Sequence, residues 1–340
     1  MTRLALWALS SSLLVSSVLA PSEARAASQG DWFASLYTGE GVELRNDERV
    51  FALFAIFNAL GFDEGPVTRT QPVPKVNYSP VRQLVRAKVI GGDPEVRKAA
   101  DAYFDAHPAS LGHYLSWAIQ ADAPPFAAGP KAKELADLKG FEQVMSKAWA
   151  GWKLDEVMGQ VQAEYRKSLK TYLTGVDGPL QKARGLLRVP ESAEVLLLVN
   201  LLDAQDQVRA VWGEKGEAFL IAGPSDQPNV AGLLKAFAAL TVGPAVEKQA
   251  AKWGGGAAVL REAQLAGSNA RTVGEYATEV LSLACALKAL DAPDAAYEAA
   301  AAKGAFGIKD VAKLFEDGKP VETWALDAMQ KIETRRPAKK

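Results

Sequence analysis

Apolar residues along this chain recur first at helical spacing, then crowd into short runs, then return to helical spacing. The segment DERVFALFAIFNALGF (47–62) opens on acidic residues, continues as a dense apolar run and meets Gly61, which together are start and stop signals of a buried helix. SPVRQLVRAKVI (79–90) begins with Ser79 as N-cap and Pro80 at the first helical position, and DPEVRKAADAYFDAH (93–107) repeats the device with Asp93 and Pro94. SLGHYLSWAIQ (110–120) carries the helical pattern on, and amphipathic patterns run from about Lys131 to Leu173, interrupted near 151. Residues 31–189 therefore read as a helical N-terminal part.

The grammar changes at Pro190. ESAEVLLLVNLL (191–202), DQVRAVWG (206–213) and GEAFLIAGP (216–224) are short, rich in Val, Leu, Phe and Trp, and separated by polar residues and glycine. They predict successive strands of a small, mostly antiparallel sheet. Helical signals return at Asn229 and persist to Ile332, so 190–333 reads as an α+β part, and 334–340 as a basic disordered tail. The class expected is α+β, predominantly helical, with helical N- and C-terminal parts. Within it, LLKAFAALTVGP (233–244) is an apolar helix with a single charge, Lys235, ending in a Gly-Pro stop.

The first 26 residues alter the picture of where this happens. Arg3 supplies a positive start, Leu4 to Leu19 an apolar and small stretch, and Ala24-Arg25-Ala26 a small-x-small cleavage site, the pattern of a secretory signal peptide. The expectation is an exported protein, periplasmic or extracellular, with no membrane span after cleavage. With 39 basic against 40 acidic residues there is no basic field of the kind nucleic acid requires, so nucleic acid is not an expected partner. Cys285 is alone, which excludes an intrachain disulfide, and its apolar helical setting marks it as a small core residue.

Most catalytic patterns are absent. The two histidines, His107 and His113, stand six apart with Pro108 between, which does not set them on adjacent turns of one helix. There is no Gly-x-Ser-x-Gly elbow, no phosphate-binding Gly-x4-Gly-Lys-Ser/Thr loop and no Cys-x2-Cys pair. WGGGAAVL (253–260) lacks a preceding strand and reads as a flexible turn.

The order of parts after Pro190, namely short strands, IAGP, a buried helix, a loop and TVGEYATEVLSLACALK, resembles a bacterial family of zincin-type metallopeptidases of unknown function. YFDAHPASLGHYLSWAIQADAPPF (103–126) is similar to helices preceding the catalytic part there. The resemblance implies a strand pair leading into a helix with His-Glu-x-x-His, and a glutamate on a later helix as third zinc ligand, as in gluzincins. The motif works because His at i and i+4 face one side of a helix, while the Glu beside the first His polarises the zinc-bound water.

Laid onto 235–239, that pattern has Lys235 for the first ligand, Ala236 for the general base and Ala239 for the second ligand, and only Glu279 keeps a suitable residue type. The resemblance thus implies a pseudo-peptidase with no catalytic residues and no cofactor, binding a peptide or envelope protein or serving as a scaffold. Tyr276, Phe237 and Trp212 are the candidates to line its cleft, and aromatics such as Phe237 and Trp212 read equally as core residues. Lys235 would either pair its ammonium with Glu279 or reach solvent at the helix edge. Two other readings stay open: an active hydrolase with non-standard ligands, using zinc and drawing on Glu275, Glu279, Tyr276 and the histidines, and a helical envelope-binding module unrelated to zincins. No signal assigns an oligomeric state.

Overall fold

The computed structural model describes residues 35–39, 41–61, 79–190 and 192–335. All belong to one compact unit spanning 34–340. The expected signal peptide and residues 336–340 of the basic tail lie outside the described residues.

Two short strands come first, β1 (Leu36–Tyr37) and β2 (Glu43–Arg45). Nine α-helices follow among the described residues: α1 (Glu48–Leu60), α2 (Pro80–Ile90), α3 (Pro94–Ala106), α4 (Leu111–Gln120), α5 (Pro130–Glu134), α6 (Phe141–Gly151), α7 (Leu154–Gln160), α8 (Gln162–Thr171) and α9 (Asp177–Leu187). Then come β3 (Val195–Val199), β4 (Val208–Trp212) and β5 (Ala218–Ala222), and six α-helices complete the described residues: α10 (Val230–Ala250), α11 (Gly256–Ala266), α12 (Val273–Ala289), α13 (Asp294–Ala302), α14 (Ile308–Leu314) and α15 (Val321–Thr334). The fold is predominantly helical α+β.

Local chemistry sets many of these boundaries. Asp47 caps α1 by accepting from the amides of Arg49 and Val50, and Gly61 ends it in the left-handed region. Ser79 and Asp93 cap α2 and α3 ahead of Pro80 and Pro94, and Thr272 caps α12 through the Glu275 amide. Where the sequence suggests a stop at Gly243-Pro244, α10 instead runs on to Ala250 with Pro244 inside it. Pro244 lacks the N–H that would reach the carbonyl four residues back, but it lies on the exposed side, and burial of Ala245 and Val246 holds the helix together past it.

The sheet has the order β1-β2-β3-β5-β4 and is mixed rather than mostly antiparallel. β2 pairs parallel with β3, and β3 parallel with β5, while β1 and β4 join the edges antiparallel. β2 is contributed by the otherwise helical N-terminal part, so the sheet draws on both sides of Pro190. β3 and β5 are buried along their whole length, as interior parallel strands are.

Helices cover both faces. On one, Arg209 of β4 lies over the Phe54 ring and Arg49 over the Phe219 ring, which places α1 there. Trp212, three residues after Arg209, points to the opposite face, where α10 packs on β4 and β5. α10 in turn packs along α12 and against α9 and α15. By length and apolarity α10 is the one described helix that could cross a membrane, and its packing here is that of a core helix.

Candidate functional site

Helical spacing collects the residues that the sequence singled out. On α10, Lys235, Ala239 and Gly243 are four residues apart and form one stripe, and on α12, Glu275, Thr278, Glu279 and Ser282 do the same. The two stripes, with Pro244, Glu247, Thr272 and Gly274, line one open groove of about 710 Å³. Ala236 is not among the groove's lining residues.

Within the groove, Lys235 Nζ lies 3.5 Å from Glu279 Oε1, with the two side chains 41% and 35% exposed. The ammonium is therefore both paired and in contact with water, and neither alternative for Lys235 holds alone. The other oxygen, Glu279 Oε2, accepts from Ser268 Oγ at 3.0 Å. Glu275 is occupied at the helix start, where its Oε2 accepts from the Arg271 amide at 2.7 Å. Glu247 lies over Gly274, whose missing Cβ leaves room for its carboxylate.

The three expected cleft aromatics separate. Phe237 and Tyr276 are buried in the core. The Tyr276 hydroxyl donates to the Gly304 carbonyl at 2.8 Å and accepts from the Phe306 amide at 3.3 Å, and burial pushes its pKa up. Trp212 is half-buried and lines a different hollow, at the corner of α9, the β4–β5 turn and α15. An apolar aromatic on a helix has the same sequence signal whether it faces a cleft or the core, so only packing tells them apart.

The histidines take structural posts in the N-terminal part. His107 ends α3, stacks on Tyr103 with ring centroids 4.0 Å apart, and has Nδ1 2.9 Å from the Tyr103 carbonyl. His113 Nε2 lies 2.8 Å from Asp137 Oδ2, and this hydrogen bond lowers the Asp137 pKa. No imidazole lines the α10–α12 groove. Cys285 is buried on α12, and burial pushes its thiol up to about 12.

The donor set does not fit a zinc site. Zinc takes deprotonated nitrogen, sulfur or carboxylate ligands, and a lysine ammonium supplies charge repulsion instead. Among the described residues, no three His, Cys, Asp or Glu side chains come together as a metal-binding group. What the groove does hold is a half-exposed ion pair closed by a serine hydrogen bond.

Sequence reasoning missed two features. One is a pair of buried ionic clusters: Arg209 grips the fully buried Asp203 through contacts of 2.7 and 3.0 Å, and Arg49 grips Asp47 at the start of α1. The other is the hollow around Trp212, whose cationic member, Arg188, sits in LLRVP just where α9 must end before Pro190. The proline could have flagged the helix end, but nothing local flags the hollow.

No family model, curated protein or solved structure matches the chain.

Proposed function

We propose that this chain is an exported, non-catalytic protein that binds a peptide or an envelope protein, with a metallopeptidase-like helix pair in which a salt bridge stands where a metal would be held. The observation that carries the reading is the 3.5 Å contact between Lys235 and Glu279. The lysine occupies the first ligand position of the pattern, and the one glutamate suited to the metal is engaged by that lysine and by Ser268. Export rests on the signal pattern of the first 26 residues. A sheet packed on α10 favours the peptidase-like layout over an unrelated helical module.

The active-hydrolase alternative draws no support from the geometry. Tyr276 is committed to Gly304 and Phe306, and both histidines are committed elsewhere, so the assembly this alternative draws on does not form around Glu275 and Glu279. The test is hydrolysis of a mixed fluorogenic peptide library by the purified secreted chain, with and without a chelator. The proposal expects the background rate in both. Chelator-sensitive turnover that disappears in Glu279→Gln would overturn it.

A further inference from the structure

We propose that the hollow at the corner of α9, the β4–β5 turn, α10 and α15 is a binding site for a compact apolar molecule, ring-sized or larger, that carries a carboxylate. The hollow is open to solvent and has a volume of about 520 Å³, within the range of small-molecule sites, which are mostly apolar with a few placed polar groups. Leu187, Pro190, Val321 and Trp212 supply its apolar wall, and the exposed Arg188 stands at its rim.

Three observations point to a ligand. First, the Arg188 guanidinium makes no hydrogen bond or ion pair among the described residues, and the indole N–H of Trp212 makes none either. Second, Arg188 closes α9 in the left-handed region at φ 57° and ψ 32°, a post where glycine is the usual resident. A non-glycine residue held there is strained, and strain of this kind gathers at functional positions. Third, the chain makes room for the guanidinium: a Cβ on Gly318, itself at φ 64°, would collide with Arg188 Nη2.

The chemistry of the ligand follows from these groups. A guanidinium presents two parallel N–H donors that match a carboxylate, and an indole face beside prolines and valine suits a flat apolar body. Glu322 is the one carboxylate among the lining residues, and it lies in the first turn of α15, where the helix N-terminus favours a negative charge. The hollow is separate from the α10–α12 groove, so the inference stands or falls apart from the reading of that groove.

Calorimetric titration of the full chain with 2-naphthoate, its neutral isostere 2-naphthamide, and 2-naphthylmethylammonium tests the assignment. One naphthoate per chain is expected, bound at least about tenfold more tightly than the amide, or about 1.4 kcal/mol, with the ammonium weakest. Arg188→Gly keeps the backbone conformation that α9 needs, so it should fold with an unlowered Tm while naphthoate falls to the affinity of the amide. Trp212→Phe should weaken acid and amide alike. Equal binding of acid and amide, preference for the ammonium, unchanged naphthoate affinity in Arg188→Gly, or no binding of any probe would each overturn the proposal.

Discussion

Two hollows border α10. In the groove shared with α12, Lys235 meets Glu279 at 3.5 Å and Ser268 takes up the second carboxylate oxygen, so the charges satisfy one another. In the hollow at the α9–α15 corner, Arg188 keeps its guanidinium without a partner among the described residues, beside an apolar wall. The difference teaches where to look for recognition in this molecule. A self-paired charge has little left to offer a ligand, whereas an unpaired guanidinium next to a half-buried tryptophan has both an electrostatic and an apolar contact free.

The comparison turns on pairing and burial, and four substitutions separate those factors. The largest effect belongs to a paired and buried charge. Asp203 is fully buried and held by Arg209, whose own side chain is 28% exposed, so Asp203→Ala, which removes two charge-assisted hydrogen bonds, should cost about 1.5–3 kcal/mol in urea unfolding.

Next comes a carboxylate that is partly buried beside another. Burial and the adjacent Asp47 push the Glu48 pKa from 4.5 to about 7. Because the folded state then binds the proton more tightly, stability should fall as pH rises from about 4.5 to about 7. Glu48→Gln should therefore stabilise the protein at pH 8 by about 1 kcal/mol after allowance for solvent screening, and leave it unchanged at pH 4.

The two hollows themselves come last. Arg188→Gly removes left-handed strain from a non-glycine residue and should raise stability by about 0.5–1 kcal/mol, measured by thermal unfolding. A loss of stability would show that Arg188 is paired, and would erase the contrast. Lys235→Met breaks a half-exposed pair and should change stability by less than about 0.5 kcal/mol, with its effect shrinking further at high salt. A cost as large as that of Asp203→Ala would place the groove with the buried pairs.

How much of this was legible in the sequence depends on the range of the cause. Caps are local, so Ser79-Pro80, Asp93-Pro94 and the Gly61 stop could be read directly, and each sits where its chemistry predicts. Helical spacing puts Lys235 and Ala239 on one stripe of α10, while Glu279 was singled out only by the resemblance and reaches the same groove through the packing of α12 on α10. β1 and β2 were not legible, because two and three residues are too few to show alternation. The α10 stop failed because packing of Ala245 and Val246 outweighs one missing backbone hydrogen bond. The hollow around Trp212 joins residues 187 to 322, and no single stretch carries its signal.

The central claim is that an ion pair, and not a metal, occupies the α10–α12 groove. Its most direct test is elemental analysis of the purified protein after dialysis against trace zinc. The account predicts sub-stoichiometric zinc, unchanged in Glu279→Gln. One tightly held zinc per chain, lost in that variant, would contradict it.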